Sequence, residues 1–145
     1  MKYFVWCIII VVAGAVAAGF FIIGSPQEQR LRRFDERRVQ DLQIIQSEII
    51  HYRQLKERLP ETLEALRDDI RGFAPPRDPK NGEPYEYAPT GPLSFSLCAV
   101  FDVSAESPSP GGPYYETQNW NHDAGSFCFD RTIDKDLYPA KRKNL

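Results

Sequence analysis

Residues 27–59, QEQRLRRFDERRVQDLQIIQSEIIHYRQLKERL, contain neither Gly nor Pro. Apolar residues recur in this stretch at steps of three, four and seven, which places them along one face of an α-helix. The members of this apolar stripe are Leu31, Phe34, Val39, Leu42, Ile45, Ile49 and Tyr52. Oppositely charged pairs such as Glu28 with Arg32 and Arg37 with Asp41 stand at i,i+4 spacing. The stretch therefore predicts one long amphipathic helix whose apolar face needs a partner.

Downstream of this helix the sequence predicts a second, shorter one. Pro60 suits a first helical turn, because the N–H that proline lacks would have no partner there. Leu63, Leu66 and Ile70 repeat at helical spacing, and Gly72 is a typical C-terminal stop. We therefore expect a short helix that begins near Pro60 and ends before Gly72.

The remainder of the chain predicts a small antiparallel sheet. Asn81-Gly82 is a strong turn pattern. Residues 85–87, 94–103 and 126–130 alternate in polarity as strands do. In the longest of these, one face carries Phe95, Leu97, Ala99 and Phe101. Helices followed by about three strands predict an α+β domain.

Two cysteines lie within the predicted strands. Cys98 and Cys128 fall on the faces opposite the large apolar residues, and antiparallel neighbours would bring them within disulfide reach. An isolated pair of this kind is typical of an oxidising compartment. Two buried free thiols are the alternative. The third cysteine, Cys7, lies in the apolar N-terminal stretch.

The N-terminal stretch predicts a membrane helix. Residues 3–23 contain no charged residue, Asn, Gln or Pro, and Lys2 is the one charge before them. About 20 such residues cross the hydrocarbon core as a helix that satisfies its own backbone hydrogen bonds. Tyr3 and Trp6 stand where amphipathic aromatic side chains prefer to lie, at the interface. A cleaved signal peptide ending near Ala17 is the alternative.

The chain thus divides into three predicted parts: a transmembrane anchor over residues 1–25, one small domain over residues 26–139, and a basic tail over residues 140–145. Five arginines between residues 30 and 38 favour a cytoplasmic domain by the positive-inside bias. The cysteine pair favours the opposite side of the membrane. We expect a single-pass protein of the inner cell membrane whose C-terminal domain is extracytoplasmic.

Three of these arginines, Arg30, Arg33 and Arg37, share one helical face close to the predicted membrane surface. They are candidates for contact with anionic lipid headgroups, at about 1 kcal/mol each. The alternative is a solvated face whose carboxylate partners are Glu28, Asp35 and Asp41. The net charge of −2 argues against a nucleic-acid partner.

No pattern predicts an active site, a cofactor or a metal centre. The chain lacks a Gly-x-Ser-x-Gly elbow, a phosphate loop and a dinucleotide fingerprint, and no Glu-x-x-His pattern contains His122. His122 followed by Asp123 is the best candidate for catalysis or metal binding, but a structured turn before the last strand is the simpler interpretation of the pair. We therefore expect a protein that is not an enzyme.

Aromatic residues gather near a loop rich in Pro and Gly. They are Tyr114, Tyr115 and Trp120. Exposed aromatic side chains on such a loop suit contact with another protein. Covering the core of the small sheet is the alternative.

Two motifs connect the long helix to the strands. The first, Leu-Pro-x-Thr-Leu-x-x-Leu, contains Leu59, Pro60, Leu63 and Leu66. The second, Asp-Pro-x-x-Gly-x-Pro-Tyr-x-Tyr, contains Asp78, Pro79, Gly82, Pro84, Tyr85 and Tyr87. With a membrane helix that leads into an amphipathic helix, they resemble the type IV pilins and the type II secretion pseudopilins, in particular the major pseudopilin. Residues 25–139 are also similar to a group of bacterial membrane proteins in which such a domain follows one or more membrane helices.

The resemblance implies a pilin-like fold and a non-enzymatic subunit of a cell-envelope, secretion or pilus-type assembly. Its partners would be the lipid bilayer and other envelope proteins or further copies of itself. Family members are cut after a Gly that precedes an aromatic residue, and they carry Glu at the fifth mature position. Here Gly19-Phe20 is the candidate junction, and Gly24 takes the place of the Glu. A stand-alone, membrane-tethered binding or sensor module that does not polymerise is therefore the alternative.

Overall fold

The computed structural model describes residues 2–23, 26–105 and 119–139 of the chain. Two helices, α1 (Lys2–Ile23) and α2 (Pro26–Lys56), precede a single turn of 3-10 helix (Leu63–Leu66). Three strands follow, and they are β1 (Glu86–Pro89), β2 (Ser94–Phe101) and β3 (Gly125–Thr132). The α+β class predicted from the sequence is confirmed.

Helix α1 is apolar along its length and has no buried side chain between Tyr3 and Val16. Every residue in that range is exposed, whichever way it points from the helix axis. Within the described part of the chain, none of the helices has both the length and the apolar character needed to span a membrane.

Helix α2 runs through the whole predicted amphipathic stretch except its last residues. It ends at Lys56 because Glu57 adopts a left-handed conformation, with φ of 60°. The N–H of Glu57 donates to the carbonyl of Arg53 at 2.8 Å, which satisfies one of the free carbonyls at the helix end. The predicted helix is therefore confirmed, with its C-terminal end three residues earlier than residue 59.

The second helix predicted from the sequence is wrong at both ends: a single 3-10 turn takes its place, and Pro60 lies before that turn. Only the residues Leu63–Leu66 are helical, and Ile70 is 99% exposed. The carboxylate of Asp68 accepts hydrogen bonds from the backbone N–H groups of Ile70 and Arg71, both at 3.0 Å. These local bonds compete with helix formation, and the chain turns back instead. Leu63 and Leu66 nevertheless remain buried, as the apolar pattern required.

The sheet is antiparallel and has the order β1-β2-β3, so β2 lies in the centre. Side chains of β2 alternate strictly: Phe95, Leu97, Ala99 and Phe101 are buried, and their neighbours between them are not. Opposite them in β3, Phe129 is buried and Phe127 is half-buried. The two faces of the sheet are therefore as predicted.

The core lies between the inner face of the sheet and one side of α2. The helix contributes Leu42, Ile45 and Ile49, and the sheet contributes Phe95, Leu97, Phe101 and Phe129. Residues between the helix and the first strand cover one end of this layer, namely Leu59, Leu63, Leu66 and Tyr85. Burial of a side chain of this size stabilises the folded state by about 1.5–3 kcal/mol. The apolar face of α2 therefore packs on the rest of the domain, as predicted.

Candidate functional site

The most unusual feature of the domain is a buried arginine that bonds to three aspartates. Arg38 lies on α2 and is only 3% exposed. Its Nε donates to Asp78 Oδ2 at 2.6 Å, and its Nη2 donates to Asp78 Oδ1 at 3.3 Å. Its Nη1 donates to Asp35 at 2.6 Å and to Asp102 at 2.7 Å. One guanidinium thereby joins the helix, the loop before β1 and the end of β2.

Asp35 connects α2 to the sheet in a second way. It stands three residues before Arg38, so both side chains lie on the same side of the helix. Its carboxylate also accepts the backbone N–H groups of Asp102 and Val103, at 3.0 and 2.9 Å. These two amides follow the end of β2 and have no ladder partner there. Asp35, which lies on α2, therefore caps the C-terminal end of β2.

Asp78 is positioned by the turn that the sequence predicted around Asn81-Gly82. The N–H of Gly82 donates to the carbonyl of Asp78 at 2.8 Å, and Gly82 has φ of 76°, a conformation that favours glycine. The carboxylate of Asp78 also accepts the N–H of Lys80 at 2.8 Å. The turn therefore helps to fix the position of the carboxylate that Arg38 contacts.

Charge in this cluster is nearly balanced. Lys80 forms a further ion pair with Asp102, so two cations face the three carboxylates of Asp35, Asp78 and Asp102. Burial tends to raise the pKa of Asp78, but hydrogen bonds from Arg38 and from the backbone of Lys80 lower it below its ordinary value. Hydrogen bonds from Lys80 and Arg38 likewise lower the pKa of Asp102. The carboxylates of Asp78 and Asp102 are therefore charged at neutral pH.

The two tyrosines of the second motif extend this network. The hydroxyl of Tyr85 donates to buried Asp41 of α2 at 2.9 Å, and burial together with that carboxylate raises the pKa of Tyr85. The hydroxyl of Tyr87 donates to the carbonyl of Pro60 at 2.9 Å, and burial raises its pKa to about 12. The second motif therefore packs against both α2 and the first motif.

The cluster has little capacity for chemistry of its own. Each of its carboxylates accepts hydrogen bonds from a cation or a backbone amide. A groove of about 460 Å³ beside the cluster is lined by residues that include Arg38, Asp78, Lys80, Asp102, Cys98 and Val100. In the described ranges, no group of three or more His, Cys, Asp or Glu residues could hold a metal ion. The cluster therefore acts as a clasp around Arg38, which joins α2, the loop before β1 and the end of β2.

The arginines predicted to face lipid are separate from this cluster. Arg30, Arg33 and Arg37 are exposed on α2, with the Arg30 guanidinium 5.7 Å from the Phe34 ring centre. Arg37 lies 3.6 Å from Asp41, in agreement with the predicted pair. The suggestion that Asp35 serves an exposed arginine is wrong, because Asp35 is 2% exposed and bonded to Arg38.

The aromatic candidates are divided by the structure. Tyr114 and Tyr115 lie outside the described residues. Trp120 is buried against Phe129, with ring centres 4.7 Å apart, and the Arg131 guanidinium lies 4.5 Å from its ring. Of its two predicted roles, Trp120 therefore takes the place in the core, which corrects the prediction of an exposed contact.

His122 is also a core residue. Its ring stacks on Phe101 with centres 3.6 Å apart, and its backbone pairs with Ala105 in an isolated bridge. Burial lowers its pKa, so the imidazole is neutral at physiological pH. Asp123 is exposed. This agrees with the structured turn that was the simpler interpretation of the pair.

The predicted disulfide is confirmed. Cys98 and Cys128 are opposite each other in the register of β2 and β3, and they are bonded on the outer face of the sheet. In the chain-entropy account, closing a loop of this length stabilises the fold by about 3–4 kcal/mol. Cys7 is a free, exposed cysteine of α1.

Sequence reasoning missed the role of Arg38, although the pattern contained an indication of it. The apolar stripe of α2 passes from Phe34 to Leu42, and the position between them on the same face is residue 38. An arginine at an otherwise apolar position needs buried carboxylates. Which aspartates supply them depends on the tertiary fold.

Comparison with protein-family models, with curated proteins and with solved structures finds no match for this chain.

Proposed function

We propose that this chain is a non-enzymatic, membrane-anchored subunit of a cell-envelope assembly, similar to type IV pilins and pseudopilins, with its domain outside the cytoplasm. The observation that carries the proposal is the contrast between α1 and the rest of the chain. Residues 3–16 expose apolar side chains in every direction, whereas the domain closes its own core. Apolar surface of that extent in water marks a contact with lipid or protein.

The domain suits a presenting role. The clasp around Arg38 fixes α2 against the sheet, and the two motifs pack on each other through Tyr87 and Pro60. The disulfide supports an oxidising compartment, because such bonds are rare in the cytosol. A rigid head on an apolar helix holds its outer surfaces at a fixed place beside the bilayer.

Membrane extraction tests the anchor. We expect full-length protein to stay in the membrane pellet after an alkaline carbonate wash and to enter solution with detergent. Two arginines placed within α1, Ile9→Arg with Val12→Arg, should prevent insertion, because each disfavours it by about 2.5–3.5 kcal/mol at the centre of a span. The matched control is Ile44→Arg on the exposed side of α2, which should leave the protein in the pellet. Release of the wild-type chain by carbonate would reject the anchor.

Thiol labelling tests the topology. In a Cys7→Ser background, a membrane-impermeant maleimide should label Cys98 and Cys128 in cells whose outer barrier is permeable to it, and only after reduction. Labelling that requires lysis of the inner membrane would place the domain in the cytoplasm and contradict the proposal.

The second candidate is a tethered binding or sensor module that does not polymerise. It is favoured by Gly24, which stands where the assembling family carries Glu. Crosslinking along α1 separates the two candidates. A ladder of oligomers is expected from an assembling subunit, and a monomer is expected from a tethered module.

A further inference from the structure

The two edges of the sheet differ in their readiness to accept another strand. On one side β1 is four residues long and ends in Pro89, which has no N–H to offer. On the other side β3 is eight residues long, and β2 is its one strand neighbour in the described sheet. An edge of that length is a template for strand addition unless something covers it.

The backbone groups that point away from β2 can be assigned from the register. The Cα atoms of Cys98 and Cys128 are 4.0 Å apart, the close spacing of a non-hydrogen-bonded pair. Consistently, the N–H of Ile133 donates towards β2, to the carbonyl of Leu93 at 2.8 Å. The backbone N–H and C=O groups of the odd-numbered residues of β3 therefore point towards β2. Those of the even-numbered residues point away from β2, and these outward-facing residues are Ser126, Cys128, Asp130 and Thr132.

All four outward-facing residues are exposed. None of their amides bonds to the backbone of another described residue, and their carbonyls receive only a 3.5 Å contact from Arg131 to Asp130. The disulfide at Cys128 and the ladder to β2 hold this edge in an extended conformation. A strand that adds to it therefore meets a preformed template, and β3 itself loses little conformational entropy on binding.

We propose that the free edge of β3 binds an extended segment of another envelope protein by antiparallel strand addition. Main-chain hydrogen bonds provide the affinity in this mode, and alternate side chains provide the choice of partner. The inference rests on the proposed function, because it names the surface that the anchored head presents.

Charge and apolarity around β3 define the side chains of the partner. Residues 123–136 contain four aspartates against one arginine and one lysine, and Asp130 lies at the middle of the outer face. The positive charge of Arg131 is turned inwards, over Trp120. On the inner face the half-buried Phe127 offers an apolar neighbour. The segment that fits has basic side chains alternating with apolar ones.

A second copy of this chain fits the edge less well. Antiparallel pairing of two β3 strands would relate the copies by a two-fold axis perpendicular to the sheet. Because α2 packs along the face of the sheet, that axis would point the two helices in opposite directions. Two copies anchored in the same bilayer from one side need their helices to point in the same direction. This requirement disfavours the two-fold arrangement.

The test uses the full-length protein in a neutral detergent and a fluorescent peptide of alternating lysine and valine, as long as β3. In antiparallel pairing the lysine amides face β3 and the valine amides face away. Methylation of the lysine amides should therefore weaken binding by about tenfold or more, whereas methylation of the valine amides should leave it unchanged. A glutamate–valine peptide should bind weakly. Fluorescence anisotropy gives the dissociation constants.

Two variants at one position separate the backbone from the side chain. Asp130→Pro removes an outward N–H, and proline is tolerated at such an edge position. It should weaken binding of the lysine–valine peptide about tenfold or more, whereas Asp130→Ala, which keeps the N–H, should weaken it only about threefold. Circular dichroism checks that both variants fold.

Three results would overturn the proposal. They are no saturable binding of the lysine–valine peptide, equal binding of the two methylated peptides, and a wild-type dimer that Asp130→Pro dissociates. None of them affects the carbonate extraction of α1, so failure of the docking edge and failure of the anchor are distinguishable.

Discussion

Helix α2 is attached to the rest of the domain by two different kinds of contact along its length. Residues 35–41 contribute the charged segment, in which Asp35, Arg38 and Asp41 are buried and hydrogen-bonded. Residues 42–49 contribute the apolar segment, whose buried side chains are Leu42, Ile45 and Ile49. One helix therefore docks through ions over two turns and through hydrocarbon over the next two.

The difference shows how specificity and stability are divided. Apolar contacts are non-directional, and a truncated side chain loses stability in proportion to what is removed. Buried ions require every partner, because a single unpaired charge in the interior is strongly destabilising. We infer that the apolar segment supplies the docking energy, while the charged segment fixes which loop and which strand end lie against the helix.

The largest effect is expected at the centre of the charged segment. Arg38→Met should lower the free energy of unfolding by about 4 kcal/mol, because it leaves Asp35, Asp78 and Asp102 without their shared cation. Urea unfolding of the full chain in neutral detergent measures the change. The control is Arg33→Met, also on α2 and exposed, which should change stability by less than about 0.5 kcal/mol. Equal losses in the two variants would show that the cluster does not hold the helix.

The next effect is expected in the apolar segment. Ile45 is 0% exposed and Ile44 is 44% exposed, so adjacent isoleucines form a matched pair. Ile45→Ala should destabilise the fold by about 3 kcal/mol through lost burial and a cavity, whereas Ile44→Ala should stay within about 0.5 kcal/mol. The same urea experiment compares them. A loss at Ile44 that matched the loss at Ile45 would mean that α2 packs with a different face on the sheet.

This contrast also explains which parts of the structure could be predicted from the sequence. The apolar segment and the alternating strands follow from periods of 3.6 and 2, which relate residues close together in the sequence. The Cys98–Cys128 pair, 30 residues apart, follows from the expectation that the two strands carrying the cysteines are antiparallel neighbours. The prediction of a helix beyond Leu66 was wrong because of a local side-chain hydrogen bond. The side chain of Asp68 bonds to backbone amides that a helix would have used, and the spacing of Leu63, Leu66 and Ile70 does not record that competition.

The charged segment could be predicted only in part. An arginine at position 38 interrupts the apolar stripe, which indicates a buried cation. Asp78 and Asp102, however, are 40 and 64 residues away along the chain, and no spacing rule connects them to α2. Asp35 misled the prediction because its neighbours include several exposed arginines, any of which satisfies a local pairing rule. Long-range pairing of charges is a property of the folded chain.

A smaller effect is expected where the charged segment meets the second motif. Tyr85→Phe removes the hydroxyl that donates to buried Asp41, and hydrogen bonds to charged groups contribute about 1.5–3 kcal/mol. Tyr87→Phe removes a hydroxyl that donates to the neutral carbonyl of Pro60, where the expected loss is about 1 kcal/mol. The ratio of the two losses measures the extra contribution of the buried carboxylate. If Tyr87→Phe were the more destabilising change, Asp41 would have to be satisfied by another donor.

The pH dependence of stability distinguishes the charged segment from the apolar segment even where the expected losses in the free energy of unfolding overlap. In the wild-type chain the pKa values of Asp78 and Asp102 are lowered by their cations, so their contribution is complete above the unfolded aspartate value of about 3.9. It is lost as the pH falls through the folded values. The contribution of these two carboxylates should therefore be flat from pH 7 to pH 5 and should decrease in more acid solution. Because burial lowers the pKa of His122, total stability should also fall as the imidazole of the unfolded chain is protonated below about pH 6.5.

In Arg38→Met the pH dependence of the Asp78 contribution should change sign. Burial is the largest influence on Asp78, and without the guanidinium it raises the pKa of Asp78 above that of the unfolded chain, whereas Lys80 still lowers the pKa of Asp102. Protonation then favours the folded state, and part of the loss at pH 7 should be recovered towards pH 5. Ile45→Ala removes no charged partner, so its deficit should be the same at each pH. Urea midpoints at pH 5, 6 and 7 compare the two variants, and parallel profiles would mean that the loss at Arg38 comes from packing of its aliphatic stem rather than from stranded charge.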